Sequence, residues 1–360
     1  MKVRIQLAIA IAALVLGSSL SSAENVRIGV LGLFHPREFK LSAADGNAIV
    51  IHAGQETIVL EKSSGTNAAQ IRAAGSGMVV RVGSRAVDTL TLTVSGRANG
   101  PADFILAVPG KITRHYRGTL QLKPVAGTGR LIAVVDTDLE TAVASVVAAE
   151  SLPGAPLEAL KAQAVAARSY FVAGKGRHSE FDFCDTTHCQ FLREPPLPGS
   201  ATSEAAVATR GLVMVYESQP FAAMYTRSCS GRTRIPAELG LAPGNYPYYS
   251  VDCKYCREHP ERWQSRISAH DASYLHSSDE AARLKIDRRL GWSAVPSNSF
   301  TRKNEGDHVI LEGIGQGHGV GLCQAGASAM AEAGANFQQI LSHYYPNTTI
   351  VSLERAAAER

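Results

Sequence analysis

Near residue 139 the hydrophobic period of this chain switches from that of strands to that of helices, and this switch limits the fold more than any other feature. Ahead of it, "VRIGVLGLF", "NAIVIHAG", "GMVVRVGS", "TLTLTVSG", "ADFILAVPG" and "YRGTLQLKPV" are short runs rich in Val, Ile and Thr, separated by Gly, Ser, Asn and Asp turns. From "LIAVVDTDLETAVASVVAAES" onward, Leu139, Val143, Val146, Val147 and Glu150 recur at helical spacing. "SLPGAP" then breaks the chain. "PLEALKAQAVAARSYFVAG" predicts a second helix, with Pro156 suited to its first position and a stripe of Leu157, Leu160, Ala164, Val165 and Arg168. Gly174 and Gly176 end it. The expectation is an α+β protein. A β-rich N-terminal module at 24–125 precedes a mixed α+β domain at 126–352 that contains the helix pair, and 353–360 form a frayed tail.

Further along, 177–210 read as polar loop, "GLVMVYE" and "PFAAMYTRSC" as strands, and 235–300 as mixed structure. "DHVILEGIG" is a strand leading into a glycine-rich stretch. "CQAGASAMAEAG" and "NFQQILSHYY" are helices, the second capped by Asn336.

The compartment follows from the first residues, "MKVRIQLAIAIAALVLGSSLSSAEN". Lys2 and Arg4 precede an apolar stretch of about a dozen residues, too short to span a bilayer, and small residues allow cleavage after Ala23. Residues 1–23 are therefore expected to be a signal peptide, and the mature chain to be exported with no transmembrane segment. The formal net charge of +4, without a run of Lys and Arg, does not support a nucleic-acid partner. Export changes the default meaning of the six cysteines: disulfides become the first reading, and a metal has to compete with oxidation.

Glu150 falls on the apolar stripe of its helix. It is either an exposed residue where the helix ends before Pro153, or a desolvated carboxylic acid whose raised pKa suits general acid catalysis. Arg168 also lies on an apolar stripe, where it could pair with a carboxylate, hold a substrate anion or snorkel to water. "EGIGQGHGVGLCQAGA" has Gly at 313, 315, 317, 319 and 321, spacing that lets a ligand or backbone approach closely. It matches no GxGxxG register, so a dinucleotide fold has no support. His318 stands among these glycines as a binding or proton-transfer residue, or as a plain turn histidine. In "FDFCDTTHC" and just before it, His178, Cys184, His188 and Cys189 could complete a tetrahedral zinc site. Cys253 and Cys256 form a C-x-x-C pair that could replace the histidines, and disulfides among these cysteines remain the rival reading.

Three separated segments, "VVAAESLPGAPLEALKAQAVAARSYF", "FDFCDTTHCQ" and "GQGHGVGLCQAGASAMAEAG…ILSHYYPNT", resemble the stage II sporulation protein D / LytB amidase-enhancer family, with "SCSGRT" and "YPYYSVDCKYCREHPERW" in support. The resemblance runs from about residue 110 to 352. It implies a peptidoglycan lytic transglycosylase whose domain at 126–352 carries a substrate groove and acts on glycan strands, with a cell-wall amidase as a further partner. It puts the catalytic acid on Glu150. Substrate-binding positions fall on Arg168, Gly317, His318, Gly319, Gln324 and Tyr344, and a structural zinc on His178, Cys184, His188 and Cys189. The alternative the same resemblance carries is a non-catalytic peptidoglycan-binding enhancer of an amidase. The family usually has small hydroxyl residues or Gly where this chain has Cys229 and Cys323, and a disulfide between these two across the groove is expected.

Overall fold

The computed structural model describes residues 24–61 and 67–358, so the signal peptide expected at 1–23 lies outside the described residues. The strand-period half forms β1 (Asn25–Val30), β2 (Glu38–Ala43), β3 (Ala48–Ala53), β4 (Glu56–Glu61), β5 (Ala68–Ala74), β6 (Gly77–Val82), β7 (Arg85–Thr89), β8 (Leu92–Ser95), β9 (Ala102–Val108), β10 (Ile112–Val125) and β11 (Arg130–Asp138). Alternation puts one face inward: Phe39, Leu41, Ile49, Ile51, Phe104, Leu106, Leu120 and Leu122 are all buried.

Two arms share β10. Its first half pairs with β9, which leads on through β2, β5, β6 and β7; its second half pairs with β8, which leads to β3 and β4, and with β11. The strand changes arms at Gly118, where φ is 146° and a Cβ would stand 2.3 Å from the Asp136 carbonyl oxygen. Only glycine fits that bend. β1 lies between β11 and a two-residue strand, β12 (Phe183–Cys184), which supplies the parallel pair in an otherwise antiparallel sheet. The sheet thus runs on to Asp138, beyond the last strand signal in the sequence.

Asp138 caps α1 (Leu139–Glu150), accepting from the Thr141 N–H at 2.9 Å. After the Pro153-Gly154 break comes α2 (Leu157–Ala173), buried nearly all round from Ala159 to Val172. Its small residues let α1, α3 (Ala201–Ala208), β13 (Leu212–Tyr216), α7 (Gln324–Glu332) and α8 (Phe337–Tyr344) crowd against it. α3, capped by Ser200, occupies a stretch expected to be loop. The cap at Asn336 is present as a full capping box with Gln339. The last described residues, expected to fray, form α9 (Leu353–Ala358), with Ala356 buried.

Between these helices lie the short strands β14 (Gln219–Pro220) and β15 (Tyr225–Thr226), the helix α4 (Lys254–Glu258), and an insertion with its own small core. The insertion runs through β16 (Arg262–Ser268), α5 (Ala269–Ser273), α6 (Glu280–Leu290), β17 (Phe300–Glu305) and β18 (His308–Ile314), burying Ile267, Leu275, Ile286, Val295 and Leu311. The chain returns through β19 (Leu322–Cys323), parallel to β15, and later β20 (Thr349–Ser352) closes beside β13. No helix of the described residues is long and apolar enough to cross a membrane. The molecule is mixed α+β, as the change of period implies.

Candidate active site

Glu150 is the last residue of α1, but it does not point into solvent as a frayed helix end would. It is half-buried. Its Oε1 accepts the backbone N–H of Phe191, its carboxyl bonds the Tyr225 hydroxyl, and its carbonyl oxygen accepts from Gln324 Nε2 at 3.0 Å. Burial pushes the carboxyl up to about 7, against the two hydrogen bonds, which favour the ionised form. The negative end of the α1 dipole acts in the same direction as burial. The Tyr225 oxygen also lies 3.0 Å from Gln190 Oε1, so its one proton serves Gln190 while Glu150 is protonated and the carboxylate once Glu150 ionises; Gln190 Nε2 donates to the Ala167 carbonyl at 3.3 Å. Tyr170 stands nearby, its phenol raised by burial.

Gln190 and Phe191 directly follow Cys189, so the "FDFCDTTHC" loop delivers them to Glu150. The loop is seated by β12 on β1, by the Leu31 N–H donating to Asp185 Oδ2 at 2.9 Å, and by Phe181 packed where a Cβ on Gly29 would come within 2.4 Å. His178 Nε2 lies 3.3 Å from Cys189 Sγ, and His188 Nδ1 lies 3.7 Å from Cys184 Sγ and 3.6 Å from Cys189 Sγ. The four ligand atoms lie within 4.8 Å of one another. Two thiols and two ring nitrogens converging this closely fit a single four-coordinate ion. A hydrogen bond from Cys189, then Thr186 and His188, holds the Cys184 thiol down to about 4, which favours the thiolate that a metal needs. A cleft of about 390 Å³ opens beside this cluster, lined by Gly29, His35, Arg130, Asp185 and His188 among others; Glu150 does not line it.

Cys253 and Cys256 do not complete that shell. They meet Cys229 and Cys323 in a separate buried cluster. All six cysteines are free thiols, so the disulfide expected between Cys229 and Cys323 is not formed. The parallel pairing of β15 with β19 brings both residues to the point where the C-x-x-C pair arrives.

The glycine-rich loop lies against β15. Gly317, at φ 96°, passes so close to Thr226 that a Cβ would be 2.4 Å from its Oγ1. The Gly319 N–H donates to the same oxygen at 3.1 Å. His318 Nδ1 accepts from the Val320 N–H at 3.0 Å, and its ring also bonds the Tyr225 backbone; burial holds it below its ordinary pKa.

A family model described as stage II sporulation protein matches residues 127–216. An uncharacterized protein of Brachyspira hyodysenteriae is 31% identical over 278 residues, covering 68% of this chain and 74% of its own. The stage II sporulation protein D of Bacillus subtilis is 25% identical over 273 residues, 61% of this chain and 76% of its own. The amidase enhancer of the same organism is 25% identical over 274 residues, 54% of this chain and 38% of its own. The chain belongs to the stage II sporulation protein D / LytB family.

In this family member two residues expected to bind substrate are placed elsewhere. Arg168 is wholly buried. Its Nε and Nη2 grip both oxygens of Glu140 at 2.9 and 2.6 Å, and two further N–H groups reach the carbonyls of Leu212 at 3.0 Å and Ala206 at 3.3 Å. Four of its five N–H donors are taken inside the protein, and its complete burial keeps the guanidinium from a sugar. Tyr344 is buried with its hydroxyl 3.5 Å from Cys253 Sγ. Gln324, in contrast, touches Glu150 itself. Sequence reasoning missed Tyr225, Gln190 and Glu140. The one signal for Glu140 was an acid in the first turn of a capped helix, opposite an Arg on a neighbouring stripe.

Proposed function

We propose that this chain cleaves peptidoglycan glycan strands between N-acetylmuramic acid and N-acetylglucosamine by lytic transglycosylation, with Glu150 as the single acid and base. The observation that carries the reading is a half-buried carboxyl raised to about 7 and held by the Phe191 N–H and the Tyr225 hydroxyl. Protonated Glu150 donates to the glycosidic oxygen as that bond breaks. The C6 hydroxyl of the muramic residue closes on the oxocarbenium-like centre, and the Glu150 carboxylate takes its proton, leaving a 1,6-anhydro end. No second carboxylate is needed, because no water has to be activated. The Gly317–Gly319 segment, His318 and Gln324 border the glycan in this reading.

Zinc at His178, Cys184, His188 and Cys189 would supply a closed structural shell. The residues themselves seat the loop so that Phe191 and Gln190 reach Glu150 and Tyr225. The reading includes export of the mature chain to the cell wall after cleavage near Ala23, and a division into a β-rich module at 24–125 and the catalytic domain at 126–352.

The name of the amidase-enhancer relative favours a second reading, in which the surface around Glu150 binds glycan and assists an amidase without cleaving. A digest of purified glycan strands read by mass spectrometry separates the two. Anhydro ends formed by the wild type and absent with Glu150→Gln support the enzyme; unchanged mass with retention on the strands supports the binder.

A further inference from the structure

The second cysteine cluster is unused by this mechanism. Cys229 follows β15, Cys253 is the N-cap of α4 and Cys256 lies in its first turn, and Cys323 ends β19. Each is at most 2% exposed, and their four sulfurs lie within 4.8 Å of one another, with Cys256 and Cys323 3.5 Å apart. In a tetrahedral zinc–thiolate site with Zn–S bonds of about 2.3 Å, neighbouring sulfurs stand roughly 3.8 Å apart. The cluster has the dimensions of one mononuclear four-sulfur site.

Its surroundings suit thiolates. The Cys229 N–H donates to Cys323 Sγ at 3.3 Å, the Tyr344 hydroxyl lies 3.5 Å from Cys253 Sγ, and the Ser228 hydroxyl lies 3.7 Å from Cys256 Sγ. Such outer-shell donors orient metal-bound sulfurs and offset their charge. Gly326 leaves the space: a Cβ there would come within 2.5 Å of Cys253 Sγ and 2.1 Å of the Tyr344 oxygen.

We propose that Cys229, Cys253, Cys256 and Cys323 hold a second metal ion, a zinc bound by four thiolates, which ties β15 to β19. Binding releases the four thiol protons to solvent and leaves no open position on the ion. Cys323 is followed at once by Gln324, and β15 carries Tyr225, so this clamp fixes two of the groups that grip Glu150. The histidine-bearing cluster fixes the third, Phe191. The two centres thus hold Glu150 through different elements, one through β15 and β19 and the other through the Cys184–Cys189 loop.

The test uses the whole chain, purified without reductant, and needs no activity. Alkylation under denaturing conditions with chelator should modify all six cysteines; a disulfide mapped to any two of the four would overturn the proposal. Elemental analysis should find two zinc ions per chain, and Cys253→Ser/Cys256→Ser should lose one. One ion per chain, unchanged by that variant, would overturn it. Should the variant fail to fold, X-ray absorption of the wild type decides: a zinc shell three-quarters sulfur supports two centres, and a shell half sulfur and half nitrogen leaves only the histidine-bearing one. Failure here leaves the reading of Glu150 standing, because the glycan digest measures that separately.

Discussion

Gln324 donates from Nε2 to the carbonyl oxygen of Glu150 at 3.0 Å, so the proposed acid is gripped by its backbone as well as by its carboxyl. A carboxyl raised from 4.5 to about 7 binds its proton more tightly in the folded chain than in the unfolded one. Its stability contribution is therefore intact below the unfolded value and is lost as pH rises through about 7. Above that the wild type carries a cost of at most about 3 kcal/mol. Glu150→Gln should abolish anhydro-product formation. It should also melt like the wild type near about pH 4 and a few degrees higher near about pH 8. Calorimetry at the two pH values checks this, and equal melting throughout would mean that the carboxyl is not desolvated.

Tyr225→Phe removes a hydrogen bond that favours the Glu150 carboxylate. The Glu150 pKa should rise, and the basic limb of the kcat/KM profile should move to higher pH. Tyr170 and Tyr225 are themselves raised by burial and His318 is lowered, so their shifts all lead away from that window. A limb that stays in place or moves to lower pH would count against the Tyr225 contact.

Arg168 and Glu140 form a buried, doubly hydrogen-bonded pair. Removing one partner strands the other's charge, so Arg168→Met or Glu140→Gln should each cost about 3–5 kcal/mol in urea unfolding. The double variant should cost clearly less than the two single losses added together. Additive losses would show that the two groups act independently.

Stripping the proposed zinc from His178, Cys184, His188 and Cys189 should loosen the loop that carries Gln190 and Phe191. His188→Ala is expected to lower stability by several kcal/mol relative to the metal-loaded wild type. It should also raise hydrogen exchange at the Phe191 amide, while amides of the β9–β10 pair stay protected. Exchange unchanged at Phe191 would separate the cluster from the Glu150 site.

The sequence carries the fold class because its periodicities are local: alternation up to β10, helical spacing from Leu139. Glu150 was legible for the same reason, as a charge on an apolar stripe. "FDFCDTTHC" was legible because its ligands crowd into a dozen residues. Tyr225 was not, since a two-residue strand has no period and its partners, Glu150 and Gln190, are 75 and 35 residues away. The grouping of Cys229 and Cys323 with the C-x-x-C pair depends on the β15–β19 pairing, across an insertion whose own core hides the return of the chain. Arg168 shows the opposite case: its stripe position was plain, but Glu140 on the facing helix decides what it does.

β1 is among the first described strands, yet the Arg27 N–H and its partner Asp182 stand 155 residues apart in sequence. The hairpins β3–β4, β5–β6 and β6–β7 join near neighbours and can form early, whereas β1 has to wait for β11 and then β12. Until then it is an open edge, the kind of surface on which one chain templates another. The segment that finally covers it also carries Cys184 and, a few residues on, Phe191. The contact that covers the β1 edge and the contact that seats Phe191 on Glu150 therefore belong to one segment, so closing the edge and assembling the Glu150 site are coupled.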